Sequence, residues 1–283
     1  MGTTFTTKSM PPPIQAAAEA IQDADALLIC AGAGMGADSG LPTFQGNEGF
    51  WKAYPALRHT GISFSEMANP SWFYQEPRKA WAFYGHRFEL YRDTKPHGGF
   101  QILKKWADDK PCGAFVFTSN VDGHFQTAGF PEDRIYECHG SLQHLQCTER
   151  CHDIWPAGEM ELHVDLANFS ANGELPTCPN CGSLARPNIL MFGDGYWRSH
   201  RTDEQGERLA KWLEGLRGAK VAIIELGAGL AVPTVRHFSE TTHCQQSQSS
   251  LIRINPDDGR VPPGSIALRS GALEGLMAIN DGG

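Results

Sequence analysis

The hydrophobic positions of this chain fall mostly into short continuous runs separated by stretches with helical spacing. Residues 26–30 read ALLIC, and similar runs occupy residues 113–118, 221–226 and 250–255. An apolar run of this length without polar alternation is typical of a strand that is buried on both faces, as in a parallel sheet. The pattern therefore predicts at least four strands of a parallel sheet.

Helical stretches are predicted before the first run, at residues 14–25, and between later runs, at residues 98–109 and 203–216. Strands that alternate with helices indicate an α/β fold with helices on both faces of the sheet. The run at residues 26–30 leads into a glycine-rich turn followed by helix-compatible residues, which is how a dinucleotide-binding unit begins. We therefore predict a Rossmann-like parallel sheet.

Two segments depart from this alternation. Residues 49–97 are rich in aromatic side chains and mostly helical, whereas residues 141–185 contain paired cysteines and little hydrophobic periodicity. We predict that they form a small discontinuous domain, made of a helical module and a cysteine-bearing module. The Rossmann-like domain then consists of residues 14–48, 98–140 and 186–283.

Composition excludes several classes of function. The 283 residues carry a net charge of −8, whereas a protein that binds duplex nucleic acid normally presents a basic face, so we expect no direct nucleic-acid partner. No apolar run approaches 18 residues, so we expect no membrane span. No signal peptide is visible in the sequence, and we therefore expect a cytoplasmic protein.

Four of the eight cysteines form two close pairs. Cys147 and Cys151 are separated by three residues, and Cys178 and Cys181 by two. Zinc favours four thiolates in a tetrahedral shell, with paired ligands two to four residues apart. Four thiolates leave no open coordination position, so we predict a structural zinc ion. A disulfide framework is not expected without a secretory signal.

A glycine-rich loop, residues 32–36, follows the first predicted strand. Small residues let backbone amides approach a pyrophosphate, and the N-terminus of a following helix favours its negative charge. The spacing fits the fingerprint GxGxxG only loosely, and no clear acidic residue follows about 20 positions later to hold a ribose. The loop by itself therefore indicates nucleotide binding without indicating a dehydrogenase.

Several stretches, in one consistent order, resemble the signatures of the sirtuin family. Residues 32–46 (GAGMGADSGLPTFQG) resemble GAGxSxxSGIPDFRG, and residues 118–122 (TSNVD) resemble TQNID. Residues 137–140 (ECHG) resemble ELHG, and the two cysteine pairs follow. Residues 186–194 (RPNILMFGD) resemble RPxVVxFGE, and residues 226–230 (LGAGL) stand where the family has GTSL.

This resemblance implies NAD-dependent removal of acyl groups from the lysines of a protein or peptide. In the family's reaction nicotinamide leaves, a histidine deprotonates a ribose hydroxyl, and lysine and an O-acyl-ADP-ribose are released. His139 matches that histidine, and a general base that works near neutral pH is ordinarily a histidine. Asn120 and Asp122 match the positions that hold the ribose and the nicotinamide amide. These three are the predicted catalytic residues.

The resemblance also implies a set of NAD-binding residues. Phe44 matches the aromatic residue over the nicotinamide site, and Asn255 belongs to a late Ile-Asn dipeptide of the family. The expected set is Gly32, Ala33, Gly34, Gly36, Asp38, Phe44, Gln45, Ser119, Asn120, Val121, Asp122, Gly227, Ala228, Gly229 and Asn255.

Two predictions concern the substrate. By resemblance, Met191, Phe192 and Gly193 form the edge that takes the peptide as an added strand. Tyr84 and Arg87 share a helical face, as in the sirtuins that accept succinyl- or malonyl-lysine, and an arginine beside a phenol can bind a carboxylate. The alternative is that Tyr84 packs in the aromatic cluster while Arg87 faces solvent. Both interpretations stand at this point.

Departures from the family's pattern keep other functions open. Thr43 and Gln45 stand where the family has Asp and Arg, which removes a cation near the cofactor. The other departures are Gly36 for Ser, Ser119 for Gln, and Ala228-Gly229 for Thr-Ser. An NAD glycohydrolase or ADP-ribosyltransferase is favoured if the altered loop lets another nucleophile take the ribose. A weak NAD-binding sensor is the third possibility, although a pure binder does not need a base.

Overall fold

The computed structural model describes residues 13–43 and 46–282. Its strands are β1 (Ala26–Ala31), β2 (Ala114–Thr118), β3 (Ile135–Glu137), β4 (Gly140–Cys147), β5 (Trp155–Pro156), β6 (His163–Asp165), β7 (Ser170–Asn172), β8 (Ala185–Ile189), β9 (Val221–Leu226), β10 (Ser249–Ile254) and β11 (Ile266–Leu268). Its helices are α1 (Pro13–Gln22), α2 (Gly34–Ala37), α3 (Gly46–Ala53), α4 (Pro55–Arg58), α5 (Phe64–Met67), α6 (Trp72–Gln75), α7 (Pro77–Asp93), α8 (Gly98–Asp108), α9 (His124–Thr127), α10 (His200–Gly215), α11 (Thr234–Gln245) and α12 (Ala272–Gly282).

Six parallel strands form the main sheet, in the order β11-β10-β9-β1-β2-β3. The central strand β1 pairs with β2 and β9, so that Ile29 lies opposite Val116 on one side and Ile224 on the other. Every residue of β1 and β9 is buried. Burial on both faces explains why these strands read as continuous apolar runs.

Helices cover both faces of this sheet. Leu27 and Ile29 point into a core shared with α1, α8 and α12, whereas Leu28 and Cys30 point into a core shared with α10 and α11. The alternation follows from the two-residue period of a strand. The predicted fold class, a Rossmann-like parallel sheet with helices on both faces, is therefore confirmed.

A third core joins the two segments that break the strand–helix alternation. Phe50 of α3 and Trp81 of α7 pack in one cluster with Leu142 and Leu145 of β4. Two small antiparallel sheets, β5-β4-β8 and β6-β7, lie against α7. The Nε1 of Trp81 donates to the Ala185 carbonyl at 3.0 Å, which ties the helical segment to the cysteine-bearing one.

Within residues 13–43 and 46–282, the helices lack a stretch long and apolar enough to cross a bilayer.

Candidate active site

A cavity of about 580 Å³ opens at the carboxyl ends of β1, β2 and β9. Gly32, Ser119 and Gly227 line it, and each follows one of these strands directly. The chain runs from β1 to β2 on one side and places β9 on the other, so strand order reverses at β1. Ligands of open α/β sheets bind at such a switch point, and the volume suits a small molecule.

Two glycine loops form the floor of the cavity by touching backbone to backbone. The Gly34 amide donates to the Gly227 carbonyl at 3.0 Å. A Cβ on Gly34 would lie 2.6 Å from the Gly227 Cα, and a Cβ on Gly227 would lie 2.4 Å from the Gly34 Cα. Any side chain at either position would separate the loops. The contact between the loops therefore requires glycine at both positions, even before contacts with a ligand are considered.

Asn120 and Asp122 stand in the loop after β2. The Nδ2 of Asn120 donates to the Gly32 carbonyl at 3.0 Å, which orients the side-chain amide. Asp122 is buried, and its Oδ1 accepts from the His124 amide at 2.9 Å. Burial raises the pKa of Asp122 above its usual value, although the nearby His124 and Arg87 oppose the shift.

His139 follows β3 and lines the cavity beside Thr234, whose Oγ1 lies 3.5 Å from its Nε2. Burial lowers the pKa of His139 below its usual value of 6.5, against the opposing effect of a backbone hydrogen bond with Ser119. The imidazole is therefore neutral at pH 7 and able to accept a proton. Two residues earlier, buried Glu137 forms an ion pair with Arg201 at 2.6 Å, which anchors the end of β3.

Tyr84 and Arg87 both reach the cavity from α7. Tyr84 is 1% exposed and stacks on Phe73 at 5.7 Å, while Arg87 is 8% exposed. The Nε and Nη2 of Arg87 donate to the Tyr91 hydroxyl at 3.1 and 2.9 Å. The alternative that Arg87 faces solvent is therefore wrong, whereas Tyr84 both packs in the aromatic cluster and lines the cavity.

A buried ion pair holds the wall of the cavity that residues 189–194 form. Arg186 and Asp194 are almost fully buried and form a two-point contact, with Nη1 to Oδ1 at 3.2 Å. Asp194 also accepts from the Met191 amide at 3.3 Å. The main chain of Phe192 is bonded on both sides, because its amide donates to Ala68 and its carbonyl accepts from Asn69. Part of the expected peptide-binding edge is thus occupied by the protein's own chain.

The four paired cysteines come together away from this cavity. Their sulfurs lie within 4.8 Å of one another, and three of the sulfur–sulfur distances are 3.5 to 3.6 Å. Zinc–sulfur bonds of about 2.3 Å in a tetrahedron place the sulfurs about 3.8 Å apart. Cys147, Cys151, Cys178 and Cys181 therefore fit a zinc ion with a full shell of four thiolates. Such a shell is structural, because it leaves no position for substrate.

The sequence model of the Sir2 family matches residues 32–211, which is more than half of the chain. This chain belongs to the Sir2 family. As a Sir2-family protein it is 30% identical over 244 residues to the "NAD-dependent protein deacylase" of Aeropyrum pernix, covering 86% of each chain. It is 26% identical over 256 residues to the protein of the same name from Aquifex aeolicus, covering 90% of this chain and 94% of that one.

Solved structures of Sir2 homologues share this fold. A variant Sir2 homologue in complex with ADP-ribose superposes with a TM-score of 0.66 at 25% identity, covering 94% of each chain. A second such variant with ADP-ribose gives 0.65 at 26% identity, covering 93% of this chain and 95% of that one. The predicted membership of the sirtuin family is confirmed.

The cavity of this Sir2-family protein fits NAD. The paired glycine loops bring main-chain groups to the cavity floor where a Cβ would otherwise stand, and main-chain amides suit a pyrophosphate. Asn120 and Asp122 add an amide and a carboxyl group on the side nearest β2. Residues of the glycine loops would therefore hold the phosphates, and the two polar side chains would hold ribose or nicotinamide groups.

Most residues expected from the Sir2-family motifs line the cavity. They are Gly32, Ala33, Gly34, Gly36, Ser119, Asn120, Val121, Asp122, His139, Gly227, Ala228, Gly229, Tyr84, Arg87, Met191, Phe192 and Gly193. Sequence reasoning missed Phe64, Tyr91 and Val235, which also line it. Tyr91 lies four residues after Arg87 on α7, and that spacing was the available signal. Phe64 and Val235 carried no signal.

Asp38 and Asn255, expected to bind NAD, are not among the cavity-lining residues. The Oδ2 of Asp38 accepts from the Leu273 amide at 2.8 Å, at the beginning of α12. Asn255 donates to the Ala228 carbonyl at 3.0 Å and accepts from the Asp257 amide at 2.9 Å, behind the loop. Both side chains bind the protein itself. Phe44 and Gln45 lie outside the described residues.

Proposed function

We propose that this chain is an NAD-dependent protein-lysine deacylase, which releases nicotinamide and transfers the acyl group to ADP-ribose. The observation that carries the proposal is the position of half-buried His139 in the same cavity as the two glycine loops. Similarity to proteins named "NAD-dependent protein deacylase" over most of both chains supports it. The order and content of the motifs support it independently.

His139 acts as the general base. NAD, when bound, supplies a ribose carbon that becomes electrophilic as nicotinamide departs. Because burial keeps the imidazole neutral, His139 can take the proton of a ribose hydroxyl without first losing one to solvent. Asn120 is held by the Gly32 carbonyl and presents its amide oxygen in a fixed direction. Apolar Val121 and Val235 limit the access of water to this side of the cavity.

Arg87 gives the acyl-binding side of the cavity a buried positive charge. We propose that it binds acyl chains that end in a carboxylate, such as succinyl and malonyl groups. An arginine–carboxylate pair is charge-assisted and can form two parallel hydrogen bonds. Tyr84, buried one turn earlier on α7, supplies the neighbouring phenol. Acetyl-lysine remains a substrate in this proposal, since it occupies the same cavity without reaching the guanidinium.

We propose that a protein or peptide carries the acyl-lysine. Exposed apolar side chains at the mouth of the cavity support this proposal. Leu190, Phe192 and Val232 have exposed side chains there, on the two segments that flank the opening. Because the Phe192 main chain is already bonded, we propose that the peptide pairs with the residues next to it.

Three separate cores support the division of the chain into a Rossmann-like domain and a small discontinuous domain.

NAD glycohydrolysis or ADP-ribosyl transfer is the second candidate. It is favoured by Thr43 at the cavity wall, which stands where the family has a carboxylate. A site with fewer groups to position the acyl chain would give water or another nucleophile more access to the ribose. This activity would not require an acyl-lysine peptide.

One assay separates the two candidates. The purified protein is incubated with NAD, with and without an acetyl- or succinyl-lysine peptide, and nicotinamide and O-acyl-ADP-ribose are measured by mass spectrometry. We expect nicotinamide release to require the peptide and to match the amount of O-acyl-ADP-ribose. His139→Ala should lower deacylation by about 10²-fold or more, whereas His237→Ala, an exposed control on α11, should not. Nicotinamide release that ignores the peptide would refute deacylation as the main activity.

A further inference from the structure

Arg87 does not stand alone on the cavity wall, because Tyr91 holds its side chain. The Tyr91 hydroxyl accepts from both Nε and Nη2 of Arg87, at 3.1 and 2.9 Å. The Arg87 Cζ also lies 5.2 Å from the centre of the Tyr91 ring. Both residues are buried and both line the cavity. The four-residue spacing on α7 places Tyr91 one turn beyond Arg87.

This contact fixes which part of the guanidinium Tyr91 occupies. A guanidinium is planar, and its donors lie along distinct edges. A hydroxyl that accepts from Nε and Nη2 lies along one of these edges and fixes the plane of the guanidinium. A carboxylate binds such an edge with two parallel hydrogen bonds. The phenol therefore sets the orientation in which Arg87 meets a ligand.

Tyr91 also keeps a proton of its own. Burial raises the pKa of Tyr91 above its usual value, and this outweighs the opposing effect of Arg87. At neutral pH the phenol is therefore protonated, with its oxygen accepting from Arg87 and its O–H available as a donor. The neutral phenol therefore binds Arg87 without neutralising the charge of the guanidinium, which a carboxylate at the end of an acyl chain would do.

We infer that Tyr91 is the residue that makes Arg87 selective for acid-terminated acyl chains: its hydroxyl orients the guanidinium without neutralising its charge. The inference rests on the proposed function, because it places an acyl-lysine in this cavity. An acetyl group has no terminal carboxylate, so its binding should not depend on the Tyr91 hydroxyl.

The test measures peptide binding without NAD, so that no turnover occurs. Dissociation constants of a succinyl-lysine and an acetyl-lysine peptide of the same sequence are measured for the parent protein and for Tyr91→Phe. We expect the variant to bind the succinyl peptide at least about tenfold more weakly and the acetyl peptide within twofold of the parent. Tyr54→Phe is the matched control, because its hydroxyl lies in the same aromatic cluster and bonds to His86 instead. It should leave the ratio of the two constants unchanged.

A double-mutant cycle separates positioning from a general effect on folding. If Tyr91 acts through Arg87, Tyr91→Phe should change the succinyl-to-acetyl ratio much less in an Arg87→Met background than in the parent. Equal weakening of both peptides, an unchanged ratio in Tyr91→Phe, or a parent that does not prefer the succinyl peptide would each overturn the inference.

The proposed function and this inference fail in different ways. A protein that binds the succinyl peptide through Tyr91 but releases no O-acyl-ADP-ribose refutes deacylation and leaves the inference standing. A protein that deacylates acetyl-lysine and binds both peptides equally refutes the inference and leaves deacylation standing.

Discussion

Gly34→Ala should damage the cofactor cavity more than its single added methyl group suggests. The new Cβ would lie 2.6 Å from the Gly227 Cα and 3.0 Å from the Gly227 carbonyl oxygen. Ordinary carbon–carbon contacts are about 3.5–4.0 Å, so the overlap with the Cα is on the order of 1 Å. Both neighbouring atoms are main chain and cannot rotate away. The two glycine loops must therefore move apart.

Two magnitudes follow from this displacement. Overpacking of a close contact lowers the free energy of unfolding by about 1–3 kcal/mol. For a chain of this size, each kcal/mol lowers the melting temperature by roughly 2–4 °C. A displacement of about 1 Å in the groups that position a substrate can lower kcat/KM by about 10²-fold. We expect the loss in kcat/KM for NAD to be the larger effect, because the moved backbone forms the cavity floor.

The assay combines nicotinamide release over a range of NAD concentrations with thermal unfolding. Gly215→Ala is the matched control, since Gly215 lies at the end of α10 and its Cβ would meet nothing within 4 Å. It should leave kcat/KM unchanged. If Gly34→Ala retains the parent kcat/KM and melting temperature, the loops do not touch as described and the reasoning is refuted.

Three further predictions concern the base, the metal and the support of the second loop. Because the pKa of His139 is lowered and its neutral form is active, kcat/KM should fall on the acid side with a midpoint below pH 6.5, and a midpoint above 6.5 would contradict this. Cys178→Ser should lose zinc by elemental analysis and unfold at a lower temperature, whereas a full zinc content would refute the site. Arg236→Met should destabilise the protein by about 1–3 kcal/mol, because the buried Ala228 carbonyl loses a donor and Asp258 loses one of its two arginine partners, and it should raise the KM for NAD; denaturant unfolding and NAD titration check both.

The sheet could be predicted from the sequence where strands are buried on both faces. Residues 221–226 were expected as a strand and form β9, and residues 26–30 match β1 to within one residue. The strands β3 and β11 were missed, because three residues each are too few to show a period. The helix α11 was missed for another reason: Arg236 and Ser239 are buried on it against Glu225, so polar residues occupy its inner face.

Site residues could be predicted where a motif fixes the position of the backbone. They were harder to predict where the direction of the side chain decides whether a residue faces the cavity. The glycine loops directly follow strands, His139 comes two residues after β3, and the ends of parallel strands meet at one edge of the sheet. Asp38 and Asn255 belong to matching motifs, yet each bonds to the protein's own main chain. Tyr91 belongs to no motif, and only its contact with Arg87 shows what it can do.

The altered loop after β9 is held from behind by groups that do not depend on the missing hydroxyls. The Ala228 carbonyl accepts from Arg236 at 3.2 Å and from Asn255 at 3.0 Å. Arg236 is itself paired with Asp258 at 2.9 Å and lies 3.7 Å from the fully buried Glu225. Buried donors therefore fix the position of the loop even though Ala228 and Gly229 replace Thr and Ser.

Gly36, which stands where the family has serine, also changes the shape of the cavity little. A Cβ there would lie 3.3 Å from Cδ1 of Leu41, a side chain that can rotate, and 3.6 Å from an oxygen of Asp122. The cavity could thus accommodate a serine at this position with little movement, so its shape is close to that of a cavity with the family's residue. Since the loop geometry is retained by other contacts, the departures at Gly36 and Ala228 remove hydroxyl groups without opening the cavity floor. The departures at Gly36 and Ala228 therefore give no support to NAD glycohydrolysis.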